Sequence, residues 1–110
     1  MTANDADARD GSEATWVALV HSPGPDVSGS VFADARFADH LAFLDQMKDA
    51  GYLVAAGPLE DAVGEGITIL RLPGAGRFDE ARALAEADLS VVNGLFTVRV
   101  RPWQVVLEGS

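Results

Sequence analysis

Two kinds of apolar spacing alternate along the chain and divide it into six elements. From Thr15 the run Trp16-Val17-Ala18-Leu19-Val20 is almost wholly apolar and closes at His21-Ser22-Pro23-Gly24-Pro25, the pattern of a strand covered on both faces. Between about Phe32 and Ala50 the apolar positions move to Phe37, Leu41, Leu44 and Met47. That i, i+4, i+7, i+10 stripe predicts an amphipathic helix, and Gly51 stops it. Tyr52 to Ala56 reads as a second strand closed by Gly57-Pro58, and Ile67 to Leu72 as a third, after an acidic turn from Leu59 to Glu65. The two lie close enough in sequence to form a hairpin. Phe78, Ala81, Leu84 and Ala85 then share one face of a second helix over residues 77–88. Leu95 to Val106 is the last strand, with Phe96, Val98 and Val100 alternating with Thr97, Arg99 and Arg101 before Pro102 interrupts the ladder.

The order βαββαβ predicts an α+β, ferredoxin-like protomer, in which a four-stranded antiparallel sheet carries both helices on one face. Strands one to three have apolar residues at successive positions, so the far face needs a cover. A second copy of the chain, packed sheet against sheet, is the simplest one, and a homodimer is expected. Residues 1–14 are rich in Ala, Asp, Gly and Ser without periodicity and read as a disordered acidic tail ahead of one domain over 15–110.

Composition removes several classes of function. With 8 Lys+Arg against 17 Asp+Glu the net charge is −9, which works against tracking a phosphate backbone, so no nucleic-acid partner is expected. No cysteine is present, which excludes a disulfide framework, a thiolate metal site and a cysteine nucleophile. No apolar run approaches the ~18 residues of a membrane span, and the N-terminus is acidic where a signal peptide would be basic. A cytoplasmic protein without a membrane partner is expected.

The chemistry gathers on few residues. His40 falls three residues after Phe37 and four before Leu44, inside the apolar stripe of the first helix, and Asp88 extends the stripe of Leu84 and Ala85 at the end of the second. In a βαββαβ fold the two helices are antiparallel, so His40 and Asp88 come to the same end of the domain. His21, Gly57-Pro58 and Asn93-Gly94 belong to that end too. A carboxylate bonded to one imidazole nitrogen fixes its tautomer and leaves the other to exchange protons, the minimal general-base pair. The plainer alternative is a satisfied core histidine and a helix-end Asp88 that hydrogen-bonds a loop; an Asp at a helix C-terminus opposes the dipole at about 0.3–1 kcal/mol, which slightly favours function. Two histidines and a carboxylate also suit a facial-triad metal. These three come from separate elements without a tight ligand motif, so neither a metal nor another cofactor is expected. Arg99 and Arg101 could hold an anion or be solvated edge charges. Gly74-Ala75-Gly76 lacks the third glycine and the lysine of a phosphate loop and reads as a turn.

Val20-His21-Ser22-Pro23-Gly24-Pro25, Asp39-His40-Leu41-Ala42-Phe43-Leu44 and Gly51 to Leu59, with Ala85-Glu86-Ala87-Asp88, Gly94-Leu95 and Val100-Arg101-Pro102-Trp103, together resemble the YCII-related family. The resemblance covers about residues 15–107. It implies a dimeric α/β barrel of ferredoxin-like protomers with an active site around a histidine–aspartate pair, matched by His40 and Asp88. His21 matches a histidine of members with the H-x-P-G-P turn, and His21, Gly57 and Pro58 are candidate substrate contacts. The family commonly has Asp-Pro where this chain has Asp88-Leu89. The implied activity is cofactor-independent lyase or isomerase chemistry on a small organic molecule, cyclic compounds included. The competing class is a non-catalytic ligand-binding or accessory protein.

Overall fold

A computed structural model of the chain describes residues 14–109, and the expected tail, apart from Ala14, lies outside them. The elements are β1 (Ala14–Pro23), a 3-10 turn (Val31–Ala33), α1 (Phe37–Asp49), β2 (Leu53–Pro58), β3 (Gly66–Pro73), α2 (Phe78–Glu86), the four-residue α3 (Leu89–Val92) and β4 (Phe96–Trp103). The sheet order is β2-β3-β1-β4 with every neighbour antiparallel, as the βαββαβ reading expects of a ferredoxin-like α+β fold. Among the described residues no helix is long and apolar enough to cross a membrane.

The core lies between one sheet face and the helices. Val17 and Leu19 of β1 and Leu70 and Leu72 of β3 meet Phe43 and Met47 of α1 and Ala81 and Ala85 of α2, all of them buried. These strand positions alternate, so the pleat sends Trp16, Ala18 and Val20, with Ile67 and Ile69, to the other face. That face stays largely apolar and partly exposed in the protomer, with Trp103 against Trp16 and the Arg71 guanidinium over the Trp16 ring. Arg99 and Arg101 stand exposed on the edge strand β4, opposite Val20 and Ala18.

Several boundaries differ from the sequence reading for local reasons. The first α-helix begins at Phe37 rather than near Phe32, because Ser30 caps a separate 3-10 turn by accepting from the Phe32 N–H. β1 runs on to Pro23, so His21 lies inside the strand, paired with Gly66 and Val98. Gly57 and Pro58 belong to β2 instead of closing it, opposite Ile67 and Gly66. The last strand stops at Trp103, and Pro102 sits within it because an edge strand tolerates a missing donor. Gly51 does end α1: its φ is +82°, and the Tyr52 and Gly51 N–H groups donate back to Met47 and Lys48.

Candidate active site

His40 is placed by α1, one turn in from Phe37, and its ring lies among Phe37, Phe43 and Phe96. Asp88 is placed differently from the sequence expectation. The second helix ends at Glu86, and Asp88 is the N-cap of α3, with its carboxylate accepting from the Ser90 N–H at 2.9 Å and the Ser90 hydroxyl at 2.8 Å. The expected opposition to a helix dipole is therefore corrected to a favourable cap. The chain returns from α3 through Gly94 at φ +83°, with Leu95 and Gly94 donating to Ser90 and Val91. Across the same corner, Gly24 packs so tightly on Gly94 that a Cβ would overlap the Gly94 carbonyl oxygen. Arg36 donates to the Asn93 carbonyl and to Asp34, which ties the start of α1 to the end of α3.

These contacts bring three side chains together. His40 Nδ1 donates to Asp88 Oδ2 at 2.8 Å, and His21 Nε2 stands 3.8 Å from the same oxygen. The His21 and His40 rings are 4.6 Å apart and inclined at 61°. All three residues are buried. Burial pushes the Asp88 carboxyl up, and the hydrogen bonds from His40 and Ser90 outweigh it, so the group sits below its ordinary value and is ionised at neutral pH. An ionised Asp88 puts the proton on His40 Nδ1 and leaves Nε2 as the nitrogen free to take another. Desolvation, with repulsion from His40 and against attraction by Asp88, holds His21 down at about 4, so it is neutral.

Beside the pair lies a cavity of about 240 Å³. His21, His40, Gly57 and Pro58 all border it, whereas Arg99 and Arg101 do not. Among the described residues its wall is mainly apolar: Phe32, Phe37 and Phe96 with Leu41, Leu44 and Ile67, no Lys or Arg, and Glu65 as the acidic group. Sequence reasoning missed two polar residues. Ser90 was findable, because Asp-x-Ser is the pattern of an Asp side chain capping the backbone two residues on. Thr68, buried at the cavity wall, carried no signal, since a threonine in a β-rich run is ordinary.

Fold and site together define a class: a ferredoxin-like domain whose helix face shelters a buried histidine–aspartate pair. The YCII-related domain matches residues 15–104, and the chain belongs to that family. No curated protein sequence matched it. Among solved structures it is similar to 5-chloro-2-hydroxyhydroquinone dehydrochlorinase (TftG) from Burkholderia phenoliruptrix AC1100, in complex with 2,5-dihydroxybenzoquinone. The identity is 23%, with 79% of this chain and 92% of that one covered and a TM-score of 0.55, a likeness of fold.

Proposed function

We propose that the protein is a cofactor-independent enzyme of the lyase or isomerase kind, in which His40 takes a proton from a small organic molecule and Asp88 orients and charges the imidazole. The observation that carries this reading is the 2.8 Å bond from His40 Nδ1 to a fully buried carboxylate, beside a cavity of about 240 Å³. Substrate enters against Phe32, Phe37 and Phe96, which suit a flat or cyclic body. No Lys or Arg stands among the described residues of the wall, which disfavours a multiply charged anion. His40 Nε2 accepts the proton, Asp88 stabilises the imidazolium, and the released electron pair either expels a leaving group or accepts the proton back at another atom. The neighbour's named activity, a dehydrochlorination, is of the first kind. Gly57 and Pro58 shape the wall, and His21 contributes a neutral imidazole.

The working form in this reading is a homodimer. The apolar face formed by Trp16, Ala18, Val20, Ile67 and Ile69 supports it, because a patch of this kind on a sheet is stabilised by a second sheet. The test of activity uses 5-chloro-2-hydroxyhydroquinone and measures chloride release, with deuterium uptake from D2O into added ring compounds as a second readout. Turnover or exchange lost in both His40→Ala and Asp88→Asn supports the reading. Turnover that survives both substitutions would overturn it.

A further inference from the structure

The Nε2 atom of His21 is buried, in a residue only 2% exposed, and has no hydrogen-bonding partner among the described residues. It faces the one Asp88 oxygen that Ser90 does not hold, at 3.8 Å, while His40 Nδ1 meets that oxygen at 2.8 Å. Ligand-type atoms of the three residues all lie within 4.8 Å of one another. We propose that His21, His40 and Asp88 form a binding site for one divalent first-row transition-metal ion, held by two imidazole nitrogens and Asp88 Oδ2.

The three donors are near enough for one ion to gather them. Tetrahedral donors about 2.0–2.1 Å from zinc stand about 3.3 Å apart. One contact here is about half an ångström shorter than that and the other about half an ångström longer, and the two histidine nitrogens lie within 4.8 Å of each other, so an ion gathers the three donors only when the side chains shift around it. Two imidazoles and a carboxylate select zinc, cobalt, nickel or ferrous iron over calcium or magnesium, which prefer oxygen alone. The second contact layer is already in place: Ser90 holds Oδ1 through both its N–H and its hydroxyl and so aims Oδ2 inward. His21 and His40 both border the cavity, whereas Asp88 is fully buried behind them, so an ion would reach the donors from the cavity side as the rings shift, and a small oxygen ligand there would complete the coordination.

The inference does not rest on the proposed activity, and the two readings make different demands on His40. An ion at Nδ1 takes the place of the proton that joins His40 to Asp88. The metal-loaded protein therefore loses the acid–base pair, and added metal inhibits any turnover that depends on it.

The experiment needs no substrate. The full chain, stripped with chelator and dialysed, is titrated with Co²⁺ and with Zn²⁺ by calorimetry, and Co²⁺ binding is followed by visible absorption. Expected are one equivalent per chain, the absorption of a low-coordinate nitrogen–oxygen cobalt site, and no competition from excess Mg²⁺. His21→Ala and Asp88→Asn weaken binding by more than about tenfold, since even outer-layer partners cost that much. Should a variant fail to fold, Zn²⁺ added to the wild type must shift the ring signals of both His21 and His40 in NMR. Binding that Mg²⁺ displaces, that survives His21→Ala, or that leaves either histidine's signals unmoved would overturn the site.

Discussion

Burial of the His21 imidazole makes the fold sensitive to acid, and the size of the effect follows from its surroundings. In the unfolded chain the ring titrates near its ordinary 6.5, whereas in the fold desolvation and the neighbouring His40 hold it down at about 4 against the pull of Asp88. Between those values the unfolded chain binds a proton that the native protein refuses. Stability is therefore fully present above about pH 6.5 and falls as the pH drops toward 4. The gap is worth about 3 kcal/mol at 1.36 per pH unit, and most of it is gone at about pH 4.5. Against a total of about 5–15 kcal/mol for a small domain, this is a large loss. The perturbation that isolates it is His21→Gln, which keeps a polar side chain of similar size and removes the titration. Urea unfolding of metal-free wild type and variant at about pH 7.5 and 4.5 gives the comparison, because the other acidic groups titrate in both. The wild type should lose about 2–3 kcal/mol more than the variant over this interval. Parallel losses would show that burial does not hold His21 neutral, and the electrostatic account of the cluster would fail.

Three further outcomes are expected. Asp88→Ala removes the α3 cap and strands His40 and Ser90, at a cost of about 2–4 kcal/mol by chemical denaturation, whereas Asp88→Asn keeps an acceptor for Ser90 and costs under about 1 while removing the charge. Gly24→Ala forces a methyl group into the Gly94 carbonyl and lowers stability by about 1–3 kcal/mol; an unchanged melting temperature would mean that this corner is not tightly packed. Light scattering at micromolar concentration should give the mass of a dimer, and Ile69→Glu on the open sheet face should give a folded monomer; a monomeric wild type would remove the sheet-to-sheet reading.

Element type and order were legible in the sequence because each element buries one face and so writes its own period. The helical period of α1, the alternation in β4 and the glycine after α1 are local consequences of helix and strand geometry, although the buried face of α1 is His40, Phe43 and Met47, and Leu41 of the predicted stripe is half exposed. Connectivity then sufficed to bring His40 and Asp88 to one end, since antiparallel helices leave little choice. The cap could not be read from the apolar stripe, because Leu84, Ala85 and Asp88 fit one continuous helix as well as a helix followed by a new one. The local Asp88-x-Ser90 cap starts a new helix after Glu86, and that helix packs against α1. His21 shows the same limit. In the sequence it is a polar residue at the end of an apolar run, and the tertiary structure alone buries its Nε2 beside a carboxylate that lies 67 residues away along the chain. Distances of that kind depend on how three elements pack together, and no period along one of them encodes it.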